Sequence, residues 1–159
     1  MTPSSRSALI RFLLVTFLAA AIGGYATTTS VSTWYLTLSK PEWNPPSWVF
    51  GPVWALLYAG MAVAAWLVWK KEGTGAFVQP ALKIYFIQLA LNAAWSILFF
   101  AFRRPGAALI DIAMLWLAIV ICTVMFFRVS RVAGWLMVPY LAWVTFASVL
   151  NHSIWAQNP

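Results

Sequence analysis

The sequence predicts an all-α membrane protein, a bundle of five transmembrane helices. Apolar residues make up 63% of its 159 residues and charged residues only 8%, whereas a soluble domain carries about 25% charged residues. The apolar residues also form five runs, each close to the roughly 20 residues that a membrane-spanning helix requires. Little else remains in the chain, so we expect a single transmembrane domain over residues 1–159 with no soluble domain.

The predicted helices are joined by connections of unequal length. The helices cover residues 9–27, 48–69, 81–102, 106–127 and 134–155. Most connections are short, so successive helices must lie antiparallel and adjacent. Only the first connection, residues 28–47, is long enough to have structure of its own. Its prolines restrict the backbone, and Ser47 is placed to cap the second helix. We interpret this connection as a stiff, lid-like loop rather than only an aromatic anchor at the membrane interface.

The first apolar run allows a second interpretation. Arg6 and Arg11, the apolar stretch and the small residues at 23–26 imitate a signal peptide, whose removal would leave four helices. We prefer a retained first helix for two reasons. The run is long enough to span a bilayer, and it leads directly into the aromatic-rich loop that the bundle requires.

The basic residues indicate an orientation. The net charge is +7, but the Lys and Arg residues stand at helix ends as singles and pairs, so they indicate topology signals and anionic headgroups rather than a nucleic-acid partner. With five spans, the side that holds the N-terminus carries seven basic residues and the other side three. The positive-inside rule therefore predicts a cytoplasmic-type N-terminus. It does not distinguish an inner from an outer membrane.

Conventional catalysis has little support in this sequence. It holds three acidic residues, one histidine and one cysteine, and neither a nucleophile–base–acid set nor a metal-ligand cluster is evident. We therefore expect no metal and no obligatory cofactor. Asp111 is interpreted as a member of a local ion pair or cap, His152 as an interfacial residue rather than a haem ligand, and Cys122 as a packing residue.

Large aromatic rings recur at helical spacing on three of the predicted helices. Each stripe also contains small or hydrogen-bonding residues, which is the composition of a pocket for a large, flat, mostly apolar ligand. The stripes are Phe50, Trp54, Tyr58 and Met61; Gln88, Asn92, Trp95, Ser96 and Phe99; and Tyr140, Trp143, Ala147 and Asn151. Plain helix packing, with the amides as interhelical hydrogen-bonding groups, remains the alternative interpretation.

Several blocks of the sequence match a known family. They are WY at Trp34, KPEWNPPSWVFGPVWALLY from Lys40, LVWKKEG from Leu67, QLALNAAWSILFF from Gln88, ALIDI at Ala108 and VPYLAWVTFASVLN from Val138. On these blocks the chain resembles the translocator protein family, also called tryptophan-rich sensory proteins or peripheral-type benzodiazepine receptors. The resemblance implies a five-helix bundle, often dimeric, that binds porphyrins, notably protoporphyrin IX, and in some members sterols.

The resemblance also implies a set of ligand-binding positions. Carried over residue by residue, these are Tyr35, Pro45, Phe50, Trp54, Tyr58, Asn92, Trp95, Ser96, Trp143 and Ala147. One departure matters. Where mammalian members have a tyrosine in a sterol-recognition pattern this chain has His152, and no Lys or Arg follows Arg131. We therefore expect a bacterial-type member with weak or absent sterol binding.

Three functional hypotheses follow from the residues and the resemblance together. The first is a membrane-embedded porphyrin-binding protein that acts in tetrapyrrole sensing or transport. The second is light-dependent porphyrin degradation with Trp54 and Trp143 as redox partners. The third is a small regulatory or structural partner of other membrane proteins. Small residues at Ala90 and Ala94 permit close helix contact, and with the resemblance they favour a homodimer through the third helix.

Overall fold

A computed structural model of the chain describes residues 3–71 and 75–158. Its α-helices are α1 (Pro3–Thr28), α2 (Trp34–Thr37), α3 (Ser47–Trp69), α4 (Val78–Ser96), α5 (Pro105–Val129) and α6 (Arg131–Gln157). A π-helical turn, Ile97–Ala101, continues α4. In the described part of the chain, five helices are long and apolar enough to cross a membrane. The predicted fold class is confirmed.

Several helices continue beyond the apolar runs from which they were predicted. The helix α1 begins at Pro3 rather than at residue 9, and α6 begins at Arg131 rather than at residue 134. Backbone hydrogen bonding continues where hydrophobicity has ended, so hydropathy underestimates helix length at these polar ends. Ser47 is the first residue of α3 and makes no capping hydrogen bond, which corrects the role expected for it.

The five long helices form a closed ring. The helix α1 packs against both α3 and α4, α6 packs against both α3 and α5, and α4 packs against α5. A buried pair attaches α1 to α4, because Thr16 Oγ1 and Tyr85 OH lie 2.5 Å apart. Each helix therefore has two main neighbours, and the ring surrounds a common interior.

The interior is filled at one end of the ring. At the end where α1 begins and α3 finishes, the side chains of Met61, Val68, Tyr85 and Phe126 are fully buried against one another. A smaller cluster at the opposite end gathers around Tyr35 and the π-helical turn. Because the first end is solidly packed, we expect any internal cavity to lie at the second end.

The π-helical turn changes the helical register next to that second end. Its wider turn buries the consecutive rings of Phe99 and Phe100, which are 2% and 9% exposed. Such turns are often found at functional sites. The chain then reverses through Arg103, whose φ of 55° lies in the left-handed region, and α5 begins at Pro105, a favoured first residue of a helix.

Candidate ligand-binding cavity

A cavity of about 350 Å³ opens within the second end of the bundle. It lies where α1 ends, α3 begins, and α4 and α6 finish, with α2 over it. Its walls are formed by Thr27, Val31, Tyr35, Ser47, Phe50, Gly51, Trp54, Tyr58, Asn92, Trp95, Ser96, Phe99, Phe100, Trp143, Ala147, Leu150, Asn151 and Ile154. Its size is at the lower end of the range typical of ligand pockets, about 300–1,000 Å³.

Most of the residues predicted as ligand-binding surround this one cavity. Nine of the ten line it, namely Tyr35, Phe50, Trp54, Tyr58, Asn92, Trp95, Ser96, Trp143 and Ala147. The exception, Pro45, is not among the lining residues. It lies in the segment that leads into α3, where its carbonyl oxygen accepts a hydrogen bond from Asn44 Nδ2 at 3.2 Å.

Nine further residues, which are not among the ten predicted ligand-binding residues, also line the cavity. They are Thr27, Val31, Ser47, Gly51, Phe99, Phe100, Leu150, Asn151 and Ile154. Phe99 and Asn151 belong to the predicted helical stripes, so periodicity alone identifies them. Thr27 and Val31 carry no such signal, because the first apolar run has no distinctly polar face. Phe100 faces inward because of the π-helical turn, which an α-helical period does not predict.

Aromatic rings on α3 and α6 meet at one wall of the cavity. The rings of Trp54 and Trp143 stand edge to face, with centroids 6.5 Å apart at 88°. Phe50 approaches Trp143 in the same way at 5.9 Å, and Trp54 lies 5.4 Å from Tyr58. These separations are in the favourable range for aromatic pairs. Together the rings present flat apolar faces to the space between the helices.

A buried hydrogen-bond chain forms the floor of the cavity. Tyr58 OH donates to Asn92 Oδ1, and Asn92 Nδ2 donates to Tyr140 OH at 2.9 Å. Tyr140 OH in turn donates to Gln88 Oε1 at 2.8 Å. The chain joins α3, α4 and α6 below the cavity. The Asn92 amide is therefore already engaged in holding helices together, as the packing interpretation expects of such amides.

Two of the cavity tryptophans differ in what their indole N–H groups contact. Trp95 Nε1 donates to Asn151 Oδ1 at 2.9 Å, and Asn151 Nδ2 donates to the carbonyl oxygen of Pro105 at 2.9 Å. Trp143 Nε1, in contrast, is covered by protein atoms and has no acceptor in the described part of the chain. A buried donor without a partner is costly, so a change that let this indole N–H meet an acceptor would be favourable.

The loop between α1 and α3, residues 29–46, covers the mouth of the cavity, and we call it the cover loop. Its first part is attached to the π-helical turn by Ser30 Oγ, which donates to the carbonyl oxygen of Phe100 at 2.8 Å. Tyr35 OH donates to Asn44 Oδ1 at 3.1 Å. Burial raises the pKa of the Tyr35 phenol, and this hydrogen bond partly offsets the rise. The phenol is thus protonated at neutral pH.

The cover loop also holds itself together through Lys40. Lys40 Nζ donates to the carbonyl oxygens of Tyr35 and Leu38, at 2.7 and 2.8 Å. The same ammonium group lies 4.9 Å from the centroid of the Tyr35 ring, which is within reach of a cation–π contact. The segment from α2 to Lys40 is therefore a compact unit that would move as one piece.

The second part of the cover loop is fastened to the end of α6. Ser39 N donates to Asn158 Oδ1 at 3.0 Å, and Asn158 Nδ2 donates back to the carbonyl oxygen of Ser39 at 2.9 Å. We call this reciprocal pair the clasp. The Trp43 ring adds a contact with Phe146 of α6, 5.8 Å between centroids. Both attachments of this part are thus to the same helix.

The remaining polar candidates lie away from the cavity lining. His152 is exposed, with its ring 6.1 Å from that of Trp155. Asp111 is buried on α5, and its Oδ2 atom has no hydrogen-bond partner, so the ion pair or cap expected for it is not formed by that atom. Cys122 is fully buried in the core. Across the described residues no group of three metal-ligating side chains occurs.

Comparisons with known proteins agree with this architecture. The sequence matches the model of the TspO/MBR family over residues 12–156. It is 44% identical over 147 residues to the tryptophan-rich protein TspO of Chlorobaculum tepidum, covering 89% of this chain and 90% of that one. It is 44% identical over 128 residues to the translocator protein of Homo sapiens, 79% of this chain and 75% of that one. It is also 43% identical over 142 residues to the tryptophan-rich sensory protein of Cereibacter sphaeroides, 87% of each.

Proposed function

Because this chain belongs to the TspO/MBR family and is a multi-pass integral membrane protein, we propose that it binds porphyrins within the bundle. Protoporphyrin IX is the reference ligand, and the role is tetrapyrrole sensing or transport. The names of its relatives, translocator protein and tryptophan-rich sensory protein, agree with a binding role.

The observation that carries this proposal is the group of flat aromatic rings, with few polar groups, that lines the cavity. The indoles of Trp54 and Trp143 offer apolar faces to a planar macrocycle. Trp143 Nε1 is covered and lacks an acceptor among the described residues, so we expect the indole to turn towards a bound ligand and donate to one of its acceptors. In a mostly apolar pocket, a small number of polar groups fixes the orientation of such a ligand.

Entry of a macrocycle requires the cover loop to move. The cover loop lies across the mouth of the cavity, and Tyr35 from this loop forms part of its wall. The clasp joins the loop to α6 through hydrogen bonds that stand at the exposed surface, where water can replace them at little cost. The lid role predicted for this loop is therefore part of the proposal.

Filling the cavity gives a direct test of the binding site. Ala147 lines the cavity, so Ala147→Trp should abolish the quenching of tryptophan fluorescence and the shift in porphyrin absorbance that protoporphyrin IX produces. Ala142 lies on the exposed face of the same helix, so Ala142→Trp is the matched control and should bind normally. Equal binding by both variants would show that the porphyrin does not occupy this cavity.

Light-dependent porphyrin degradation is a second candidate function. The edge-to-face pair of Trp54 and Trp143 favours it, because an indole at the cavity wall can donate one electron to a photoexcited macrocycle. That step yields an indole radical cation and a porphyrin radical anion. Illumination of the bound complex should then bleach the porphyrin absorbance more slowly when both residues are changed to Phe. Bleaching at an unchanged rate would exclude these indoles as electron donors.

The regulatory or structural role is the weakest of the three hypotheses. That hypothesis predicts an interior filled by side chains, and the cavity of about 350 Å³ argues against it. We retain the expectation of weak or absent sterol binding. Titration of cholesterol in competition with protoporphyrin IX tests it, since a sterol that displaces the porphyrin at similar concentration would contradict it.

A further inference from the structure

A second apolar recess, of about 210 Å³, lies on the outer surface near the start of α1. We call it the lipid groove. Its lining residues are Ala8, Arg11, Phe12, Val15, Trp69 and Phe86, so α1, α3 and α4 all contribute. None of these residues lines the cavity in which we propose that porphyrins bind. Arg11 is the one charged residue among them.

The shape of the groove suits a hydrocarbon chain. Ala8 and Phe12 are buried and form its floor, whereas Val15 and Phe86 are each 43% exposed and form its rim. Phe12 and Phe86 stack, with ring planes 12° apart and centroids 6.3 Å apart, and this pair gives one side a flat wall. The small side chain of Ala8 leaves the space that a larger residue would fill.

The charge around the groove selects the headgroup. Among the residues that the structure describes, Arg11 has no hydrogen-bond or ion-pair partner. Lys83 stands one turn from Phe86 on the same face of α4, and Lys70 lies at the end of α3. The carboxyl group that the sequence places at this end, Glu72, is outside the described residues. Basic residues therefore dominate this end of the bundle.

We propose that the lipid groove is a binding site for one anionic phospholipid. An acyl chain lies over Ala8 and Phe12 and against Phe86, and the phosphate is bound by the guanidinium group of Arg11, which presents a planar fork of donors to phosphate oxygens. Trp69 is placed at the level of the headgroups, where an amphipathic indole is favoured. The site requires both the apolar lining and Arg11, because the lining binds the acyl chain of the lipid and Arg11 binds its negatively charged phosphate.

Native mass spectrometry of the full chain in detergent tests this site. With phosphatidylglycerol and phosphatidylcholine of identical chains, the first phosphatidylglycerol should bind about tenfold more tightly, the effect of roughly 1.4 kcal/mol. Arg11→Gln should reduce this preference to near unity. Arg6→Gln is the matched control, because Arg6 is exposed on the same helix but does not line the groove. It should keep the preference.

Further measurements distinguish the contribution of the lipid's acyl chain from that of its headgroup. Ala8→Leu fills the floor and should weaken binding of both lipids, with circular dichroism used to verify that the variant is folded. Glycerol 3-phosphate, which has the anion without the chain, should not compete. The proposal fails if Arg6→Gln and Arg11→Gln lower the affinity equally, if both lipids bind alike, or if glycerol 3-phosphate displaces the lipid. Protoporphyrin binding should be unaffected throughout, so this test is independent of the proposed function.

Discussion

The hydroxyl group of Tyr140 stabilises the bundle by joining two residues of α4. It accepts from Asn92 Nδ2 and donates to Gln88 Oε1. Tyr140→Phe leaves both amides without this partner, so we expect a loss of about 0.5–2 kcal/mol in the free energy of unfolding. A lower midpoint of thermal unfolding in detergent would show it. Tyr25→Phe is the control, because Tyr25 is 77% exposed. Equal midpoints for the two variants would contradict the prediction.

The indole N–H of Trp143 should matter for ligands and not for folding. It has no acceptor among the residues that the structure describes, so Trp143→Phe removes a donor without breaking any of the hydrogen bonds seen there. We expect affinity for protoporphyrin IX to fall about tenfold, as for a buried hydrogen bond worth roughly 1–1.5 kcal/mol, with thermal stability retained. Titration by porphyrin absorbance measures this.

The control for that variant is Trp116→Phe. Its indole N–H donates to Thr145 Oγ1 at 2.8 Å, outside the cavity lining. It should therefore leave porphyrin affinity unchanged. If Trp143→Phe also left the affinity unchanged, the bound macrocycle would not use this donor.

Single residues were predictable where their spacing was regular. Helical periodicity with the family resemblance identified Trp54, Asn92 and Trp143, because a period of 3.6 residues places each of them on the same face of its own helix as the other members of its stripe. The free N–H of Trp143 was not predictable. A hydrogen-bond partner depends on which side chain of another helix comes within about 3 Å, and no local pattern encodes that distance.

Among the elements, the clasp between the cover loop and α6 should control how fast ligands enter and leave. Asn158→Ala removes both of its hydrogen bonds with Ser39, each worth about 0.5–1.5 kcal/mol. We expect the rate of protoporphyrin dissociation, measured by stopped-flow fluorescence, to rise at least several-fold.

The adjacent residue provides the control for the clasp. Gln157 is exposed and ends the same helix, so Gln157→Ala should leave the dissociation rate unchanged. Identical rates in both variants and the unmodified protein would show that the loop does not limit release. A change in affinity without a change in the dissociation rate would show that Asn158 acts on ligand entry instead of release.

The long helices were predictable as elements, and the connecting details were not. Hydrophobic length alone specifies a transmembrane helix, because every backbone polar group in a bilayer must be satisfied within the segment. The π-helical turn at Ile97–Ala101 has no comparable signal. The clasp joins Ser39 and Asn158, 119 residues apart, and so depends on the assembled bundle rather than on local sequence.

The whole molecule offers one outward face that suits self-association. Ala90 is exposed on α4 beside Ile87, which is also exposed. A small residue flanked by larger ones permits close helix contact, so the homodimer predicted through this helix remains our expectation. In a Cys122→Ala background, Ala90→Cys should form a disulfide-linked dimer in membranes under mild oxidation.

A cysteine on a different outward face is the control for the dimer. Leu117 is exposed on α5, so Leu117→Cys in the same background should remain largely monomeric on a non-reducing gel. Equal crosslinking at both positions would indicate random collision rather than a defined interface. An absence of crosslinking at Ala90 would place any dimer contact elsewhere.

The closed ring of helices could only partly be predicted at this scale. Short connections require sequential helices such as α5 and α6 to be neighbours. The contacts of α1 with α4 and of α3 with α6 join helices that are not consecutive. Those contacts close the ring and create its interior, and they depend on side-chain fit between distant segments.

The clasp also contains a natural probe of its own motion. The amide hydrogen of Ser39 is bound to Asn158 Oδ1, so it can exchange with deuterium only while that hydrogen bond is broken. Its exchange rate in the empty protein therefore reports how often the mouth opens spontaneously. Slower deuterium uptake at this one amide when a porphyrin is present would show, in the unmodified protein, that the bound ligand stabilises the closed position of the cover loop.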